Sequence, residues 1–153
     1  MTKIAVIGTG YVGLTTGACF AHMGHEVVCA DIDPAKVESL RRGVIPIVEL
    51  GLQELVEEGI AGGRLSFVLG AANAAKDCEI AFLCVPTPQG DDGSADLSYI
   101  EAAAKEIGPV LPFEAVVVFQ EKEIEVEEVF GDFDGSRHEP TSARLILIGC
   151  KRP

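Results

Sequence analysis

Short apolar runs alternate with amphipathic stretches along the first 120 residues of the chain. The run Lys3–Ile7 is almost wholly apolar and stops at Gly8, as expected of a central parallel strand that is buried on both faces. A second apolar run at residues 26–30 ends at Asp31, and apolar positions at helical spacing lie between the two runs, up to Gly24. Strand, glycine-rich turn, helix and strand within about 30 residues predict a βαβ unit.

The same alternation continues downstream. Asp33 and Pro34 are typical of an N-cap and a first helical position, and Ser98 with Glu101 fits a capping box in which Ser98 is the N-cap. Strands that alternate with helices predict an α/β fold, a Rossmann-like doubly wound parallel sheet in a single domain. The later predicted helices cover residues 34–42, 52–59, 71–76 and 98–107, and the later strands cover residues 65–68, 79–85 and 114–119.

Composition and charge narrow the classes of function. With 153 residues, of which 48% are hydrophobic, the chain has the length and composition of one globular domain. It contains no apolar run of the ~18–20 residues that a bilayer span needs, and it begins without a signal-peptide pattern, so we expect a cytoplasmic protein with no membrane partner. A formal net charge of −12 also argues against nucleic acid as a partner.

Cysteine and histidine positions indicate neither a disulfide framework nor a metal site. The five cysteines are odd in number and none are spaced as C-x-x-C, so we interpret them as reduced thiols, most of them in apolar surroundings. The three histidines are scattered without ligand spacing. No metal is therefore predicted.

The glycine-rich turn carries the most specific chemistry. Gly8 allows a tight turn, Gly10 lets a pyrophosphate approach the backbone, and Gly13 lets helix and strand pack closely. The free N–H groups near Tyr11 and Val12, at the start of the helix, are expected to point at the phosphates. A tight turn without a ligand is the alternative, but the strand before it and the helix after it favour a dinucleotide site.

Asp31 favours NAD as the dinucleotide. It follows the last of the three glycines by 18 residues, at the end of the second strand, where a carboxylate accepts hydrogen bonds from ribose and repels the 2′-phosphate of NADP. Lys36 follows in the next helix, and its spacing fits contact with the ribose as well as it fits an exposed lysine. Pro86 and Thr87, after a later strand, are expected to border the same crevice, where Thr87 offers a hydroxyl.

The character of the sequence changes after residue 118. Residues 121–134 contain seven acidic residues against one lysine, a pattern typical of a solvated loop rather than of a helix or strand. Residues 144–149 have the pattern of one more strand. We therefore expect an NAD-binding Rossmann domain at residues 1–118 and a divergent acidic tail at 119–153.

Four segments of the chain have the pattern of a known family. They are KIAVIGTGYVGLTTG at residues 3–17, MGHEVVCADID at 23–33, GVIPIVELGLQEL at 43–55 and VPTPQGDDGSADLSYIEAAAKEIG at 85–108. Together they resemble the N-terminal domain of the UDP-glucose 6-dehydrogenase family, the nucleotide-sugar dehydrogenases, and the last segment resembles UDP-glucose enzymes more than their GDP-mannose or N-acetylmannosamine relatives. The resemblance implies an NAD-binding role for Val12, Asp31, Lys36 and Thr87.

The resemblance also implies a reaction, the oxidation of UDP-glucose to UDP-glucuronate by two NAD through a thiohemiacetal on a catalytic cysteine. None of the five cysteines stands in that cysteine's context, and the chain departs from the family's pattern after residue 118, so no catalytic residue is assigned. We therefore expect a truncated domain that binds NAD, that would act on UDP-glucose only with a sugar-binding domain, and whose oligomeric state is open. The alternatives are a stand-alone NAD-sensing regulatory module and a Rossmann-like remnant without a ligand.

Overall fold

In the computed structural model of this chain, the residues that can be described are 1–89, 95–113 and 115–119. The predicted strand at residues 144–149, the acidic tail from residue 120 onward and Glu114 lie outside them. The elements are β1 (Lys3–Ile7), α1 (Tyr11–His22), β2 (Glu26–Asp31), α2 (Pro34–Arg41), α3 (Leu52–Ala61), β3 (Leu65–Leu69), α4 (Ala71–Ala75), β4 (Ile80–Leu83), α5 (Ser98–Ile107) and β5 (Val116–Phe119), with a short 3-10 turn at Gly108–Val110.

The five strands form one parallel sheet in the order β3-β2-β1-β4-β5. The chain moves outward from β1 to β3 and then crosses back to place β4 on the other side of β1. Because the order reverses there, the loops after β1 and β4 leave the sheet beside each other and open a crevice at its carboxyl edge. The predicted α/β, Rossmann-like doubly wound sheet is therefore confirmed.

Alternate residues of the strands serve two separate cores. Ile4 and Val6 of β1 pack in the core shared with α1, α2 and α3, whereas Ala5 and Ile7 pack in the core shared with α4 and α5. All four are at most 4% exposed, which explains why β1 is apolar at successive positions rather than at every second one. Full burial of a valine or leucine side chain contributes roughly 1.5–3 kcal/mol, so both faces of β1 stabilise the sheet that carries the loops.

The caps of two helices show one confirmed and one wrong prediction. Asp33 caps α2, because its side chain accepts hydrogen bonds from the backbone N–H groups of Ala35 and Lys36. Ser98, predicted as the N-cap of α5, is instead the first helical residue, and Leu97 takes the N-cap position without a side-chain bond. The carboxylate of Asp96 accepts the Ser98 N–H at 2.9 Å, so the capping oxygen comes from two residues upstream.

Four cysteines belong to the described residues, and none of these four is in a disulfide. Cys29 and Cys78 are buried, whereas Cys19 is exposed on α1. Within the same described ranges, no helix has the length and apolar character that a membrane span requires.

Candidate functional site

The turn between β1 and α1 depends on glycine at Gly8 and Gly13. Gly8 has a φ of +100°, and a Cβ placed there would lie 2.5 Å from the carbonyl oxygen of Cys84. A Cβ at Gly13 would lie 1.9 Å from the carbonyl oxygen of Gly8, so α1 could not approach the turn with any side chain at that position. These two glycines therefore hold the start of α1 against the carboxyl ends of β1 and β4.

Gly10 differs from the other two glycines, because its backbone is extended and a Cβ there would meet nothing within 4 Å. The open space lies directly before the first turn of α1, whose N-cap Gly10 provides no side chain to bond the helix N–H groups. N–H groups at a helix start have no acceptor within the helix, and the helix dipole makes this end positive. The empty side of Gly10 is thus a place where an anion can reach the backbone.

A crevice of about 310 Å³ opens beside this turn, large enough for part of a dinucleotide. Five of the predicted site residues line it, and they come from two loops, the end of one strand and one helix, separated by up to 78 positions in the sequence. The sheet order therefore brings them together as the topology predicted. These residues are Gly8, Gly10, Asp31, Lys36 and Pro86.

Asp31 is the centre of the hydrogen-bond network in this crevice. Its Oδ2 accepts bonds from the Thr9 N–H at 3.1 Å, the Thr9 hydroxyl at 2.5 Å and the Lys36 Nζ at 2.8 Å, and its Oδ1 accepts the Asp33 N–H at 3.1 Å. Burial by itself raises the pKa of Asp31, but the bonds from Lys36, Thr9 and Asp33 outweigh it and lower the pKa to about 2. The carboxylate is therefore charged at neutral pH and held in one orientation.

Lys36 belongs to the crevice rather than to the solvent-exposed side of α2. Its ammonium pairs with Asp31, and its side chain is only 27% exposed. The spacing in the sequence left both places open, and contact with the carboxylate decides between them. The pair puts a cation and an anion side by side at the end of β2.

A second cavity, of about 510 Å³, lies on the other side of the glycine turn. It shares Gly10 and Pro86 with the crevice, and Tyr11, Val12 and Thr87 also line it. The Tyr11 hydroxyl donates a hydrogen bond to Glu49, which raises the pKa of Tyr11 and ties the start of α1 to the loop before α3. Eight of the nine predicted site residues thus border one of two adjoining cavities, and Gly13 packs beneath them.

Cys84 lines both cavities at the end of β4. Burial raises the pKa of its thiol to about 11, so the sulfur is protonated at neutral pH and is a poor nucleophile. The same effect raises the pKa of the buried Cys29 thiol well above its ordinary range. Within the described residues, no group of three or more histidine, cysteine or acidic side chains is placed to hold a metal ion.

Part of the crevice wall was not predicted from the sequence. Thr9 is 1% exposed and bonds to Asp31, and it could have been noted as a polar residue inside the glycine turn. The outer wall comes from one face of α5, whose positions repeat at i, i+3, i+4 and i+7, as residues on one side of a helix do. Those positions are Tyr99, Ala102, Ala103 and Glu106.

The sequence and the fold of this chain are both similar to those of nucleotide-sugar dehydrogenases. The model of the NAD binding domain of the UDP-glucose/GDP-mannose dehydrogenase family matches residues 2–123. The chain is 51% identical over 118 residues to UDP-glucose 6-dehydrogenase TuaD of Bacillus subtilis (strain 168), which covers 77% of this chain and 26% of that protein. It is 49% identical over 117 residues to UDP-glucose 6-dehydrogenase of Rhizobium meliloti (strain 1021), covering 76% of this chain and 27% of that one.

Solved structures of similar proteins superpose on nearly the whole chain. A UDP-glucose dehydrogenase from the archaeon Pyrobaculum islandicum matches with a TM-score of 0.82 and 31% identity, over 99% of this chain and 36% of that one. A GDP-mannose dehydrogenase from Pseudomonas aeruginosa matches with a TM-score of 0.80 and 29% identity, over 97% and 36%. The chain spans about a quarter of the length of the two UDP-glucose 6-dehydrogenases that match it in sequence.

Proposed function

This chain belongs to the UDP-glucose/GDP-mannose dehydrogenase family through its NAD-binding domain, and we propose that its crevice holds NAD for the oxidation of a nucleotide sugar, UDP-glucose in particular. The observation that carries the proposal is the open side of Gly10 at the start of α1, next to the charged carboxylate of Asp31. These features fit the cofactor. The start of α1 beside Gly10 offers backbone N–H groups to a pyrophosphate, and the carboxylate of Asp31 offers an acceptor to ribose hydroxyls.

Each predicted site residue has a role in this proposal. Gly8 and Gly13 shape the turn, Gly10 leaves room for the pyrophosphate, and the N–H groups of Tyr11 and Val12 face its charge. Asp31 binds the ribose of the adenosine half, and Lys36 orients that carboxylate. Pro86 and Thr87 border the second cavity, where the Thr87 hydroxyl contacts the nicotinamide half. When bound, NAD supplies the hydride acceptor for the alcohol of the sugar.

UDP-glucose is the favoured nucleotide sugar because the two sequence relatives described above are named UDP-glucose 6-dehydrogenases. Oxidation to the acid would use two NAD. This chain covers about a quarter of those proteins, and the Cys84 thiol in its crevice is protonated, so we propose that these 153 residues bind NAD without oxidising the sugar alone. The relatives named here are all dehydrogenases and give no support to a stand-alone sensor.

A ligand titration tests the proposal. We expect NAD to raise the thermal midpoint of the 153-residue chain, since a ligand at 100 times its Kd adds about 2.7 kcal/mol of stability, and we expect NADP to raise it much less. NADH formation from NAD and UDP-glucose is followed in the same samples. Equal shifts with NAD and NADP would contradict the role given to Asp31. No shift with either dinucleotide would contradict the proposed binding of NAD. Rapid NADH formation would contradict the proposal that these 153 residues do not oxidise the sugar alone.

A further inference from the structure

The order of the strands sets an order of subsites along the crevice. Gly8 and Gly10 follow β1, Asp31 ends β2, and Ala71 begins α4 directly after β3. Since β1, β2 and β3 are neighbours in the sheet, these three points form a line. In the proposed binding of NAD, pyrophosphate and ribose occupy the first two points, and the base of the adenosine lies at the third, between Ile32 and α5.

Small residues of α5 leave room for a flat ring at this third point. Ala102 and Ala103 line the crevice in the middle of the helix face, with Tyr99 one turn before them and Glu106 one turn after. Seven residues of helix rise about 10 Å, so Tyr99 and Glu106 mark opposite ends of the wall. The middle of the wall is apolar, as a base-stacking surface requires.

Glu106 is placed to read the edge of the base. Its Oε1 accepts the backbone N–H of Ala72 at 3.2 Å, which anchors the carboxylate at the start of α4 on the β3 side of the crevice. Its Oε2 accepts no hydrogen bond within the part of the chain that the structure describes. The other polar side chains deep in the crevice, Thr9, Asp31 and Lys36, already bond to one another.

We infer that Glu106 selects adenine by accepting a hydrogen bond from its exocyclic amine. A carboxylate is an acceptor only, so it favours the amino group at C6 of adenine and disfavours the carbonyl oxygen that hypoxanthine carries there. The contact lies at the edge of the crevice, where Glu106 is exposed, so it sets preference between bases rather than most of the affinity. This inference rests on the proposed binding of NAD and adds to it a residue that reads the base.

The test compares NAD with nicotinamide hypoxanthine dinucleotide, which differs in this one group, by calorimetric titration of the 153-residue chain. We expect the unmodified chain to bind NAD about tenfold more tightly. Glu106→Gln should reduce that preference to about twofold, because its amide also offers a donor to the carbonyl of hypoxanthine. Glu101→Gln is the matched control on the same helix, since Glu101 pairs with Lys105 and does not line the crevice, and it should leave the preference unchanged.

A purely structural role for Glu106 gives a different result. Loss of the bond to Ala72 would lower the thermal midpoint of the unliganded protein and weaken both dinucleotides by the same factor, with their ratio unchanged. Glu106→Gln keeps an acceptor for that N–H, so it folds even if Glu106→Ala does not. Equal binding of the two dinucleotides by the unmodified chain overturns the inference and leaves the proposed function standing, whereas binding of neither overturns both.

Discussion

Single atoms decide the shape of the glycine turn. The carbonyl oxygen of Gly8 occupies the place where a side chain at Gly13 would begin, and the carbonyl of Cys84 does the same at Gly8. Gly10 has no such neighbour, so the packing of the fold does not require its missing side chain, and its role in the proposed function is to leave room for a ligand. The three glycines of this short motif are thus required for two different physical reasons, close backbone packing at Gly8 and Gly13 and open space at Gly10.

This difference predicts opposite results for two alanine variants. Gly13→Ala should destabilise the domain by at least ~2 kcal/mol, because backbone must move to admit the Cβ. Gly10→Ala should cost at most ~1 kcal/mol, because its extended backbone suits alanine and only the N-cap preference for glycine is lost, but it should weaken NAD binding at least ~10-fold. Urea unfolding and NAD titration measure the two effects, and a stable Gly13→Ala protein would contradict the packing described here.

The carboxylate of Asp31 makes the stability of the fold depend on pH in the acid range. Its pKa is about 2 in the folded protein and near 3.8 in the unfolded chain, so its charged form stabilises the fold above about pH 4. That contribution is lost as pH falls from about 4 through 2. At pH 6 we expect the unfolding free energy of the unmodified chain to be about 1–2 kcal/mol higher than that of the Asp31→Asn variant. Near pH 2 we expect the two values to be equal. Parallel pH profiles for the two proteins would show that the carboxylate has no such bonds.

Helix α1 approaches the sheet closely enough to exclude a side chain at Gly17. A Cβ there would lie 2.5 Å from the sulfur of Cys29 on β2, with the Cγ1 of Val27 next at 3.6 Å. The close approach brings the start of α1 to the edge of the crevice. The packing of this one helix therefore connects the core to the site.

A double-mutant cycle tests that contact between elements. Gly17→Ala should cost about 1–3 kcal/mol of unfolding free energy, because the buried sulfur leaves no room for a methyl group. Cys29→Ala removes the sulfur, so the double variant should recover at least ~1 kcal/mol relative to the sum of the single changes. Additive effects in urea unfolding would mean that some other neighbour limits α1.

Local signals predicted the elements well, and they failed where a neighbour decided the outcome. Asp33 capped α2 as expected because the residue, the following Pro34 and the helix are adjacent in sequence. Ser98 had an equally good pattern, but Asp96 lies close enough to accept the Ser98 N–H and the helix begins one residue earlier. The position of Lys36 could not be predicted from its spacing, because the contact with Asp31 that defines it forms only in the folded chain.

At the scale of the molecule, the sheet order brings the site together. Gly8 and Pro86 were expected to share a crevice because parallel strands end at one edge, and the structure places both there. The wall formed by α5 was not predicted, because nothing in residues 98–107 says which strand ends the helix face will meet. Only the return of the chain from β3 to β4 settles that.

The global charge opposes the proposed ligand, and the local field favours it. The chain carries 24 acidic and 12 basic residues, so an anionic dinucleotide is repelled at long range. Near the turn, the start of α1 supplies positive potential within a few ångströms, and the ammonium of Lys36 offsets the negative charge of Asp31. Salt screens the first effect more than the second, because the distant charges are exposed to solvent.

The bonds to Asp31 also constrain how such a site changes over evolutionary time. Thr9, Asp33 and Lys36 together direct four donor groups at this one carboxylate, so a lineage that replaced it to admit a 2′-phosphate would leave all four without their acceptor. Two of these donors are backbone N–H groups of Thr9 and Asp33, so a new coenzyme preference would require a change in the backbone of the turn as well as the replacement of Asp31. The proposed preference for NAD over NADP is in this way tied to inheritance of the whole turn.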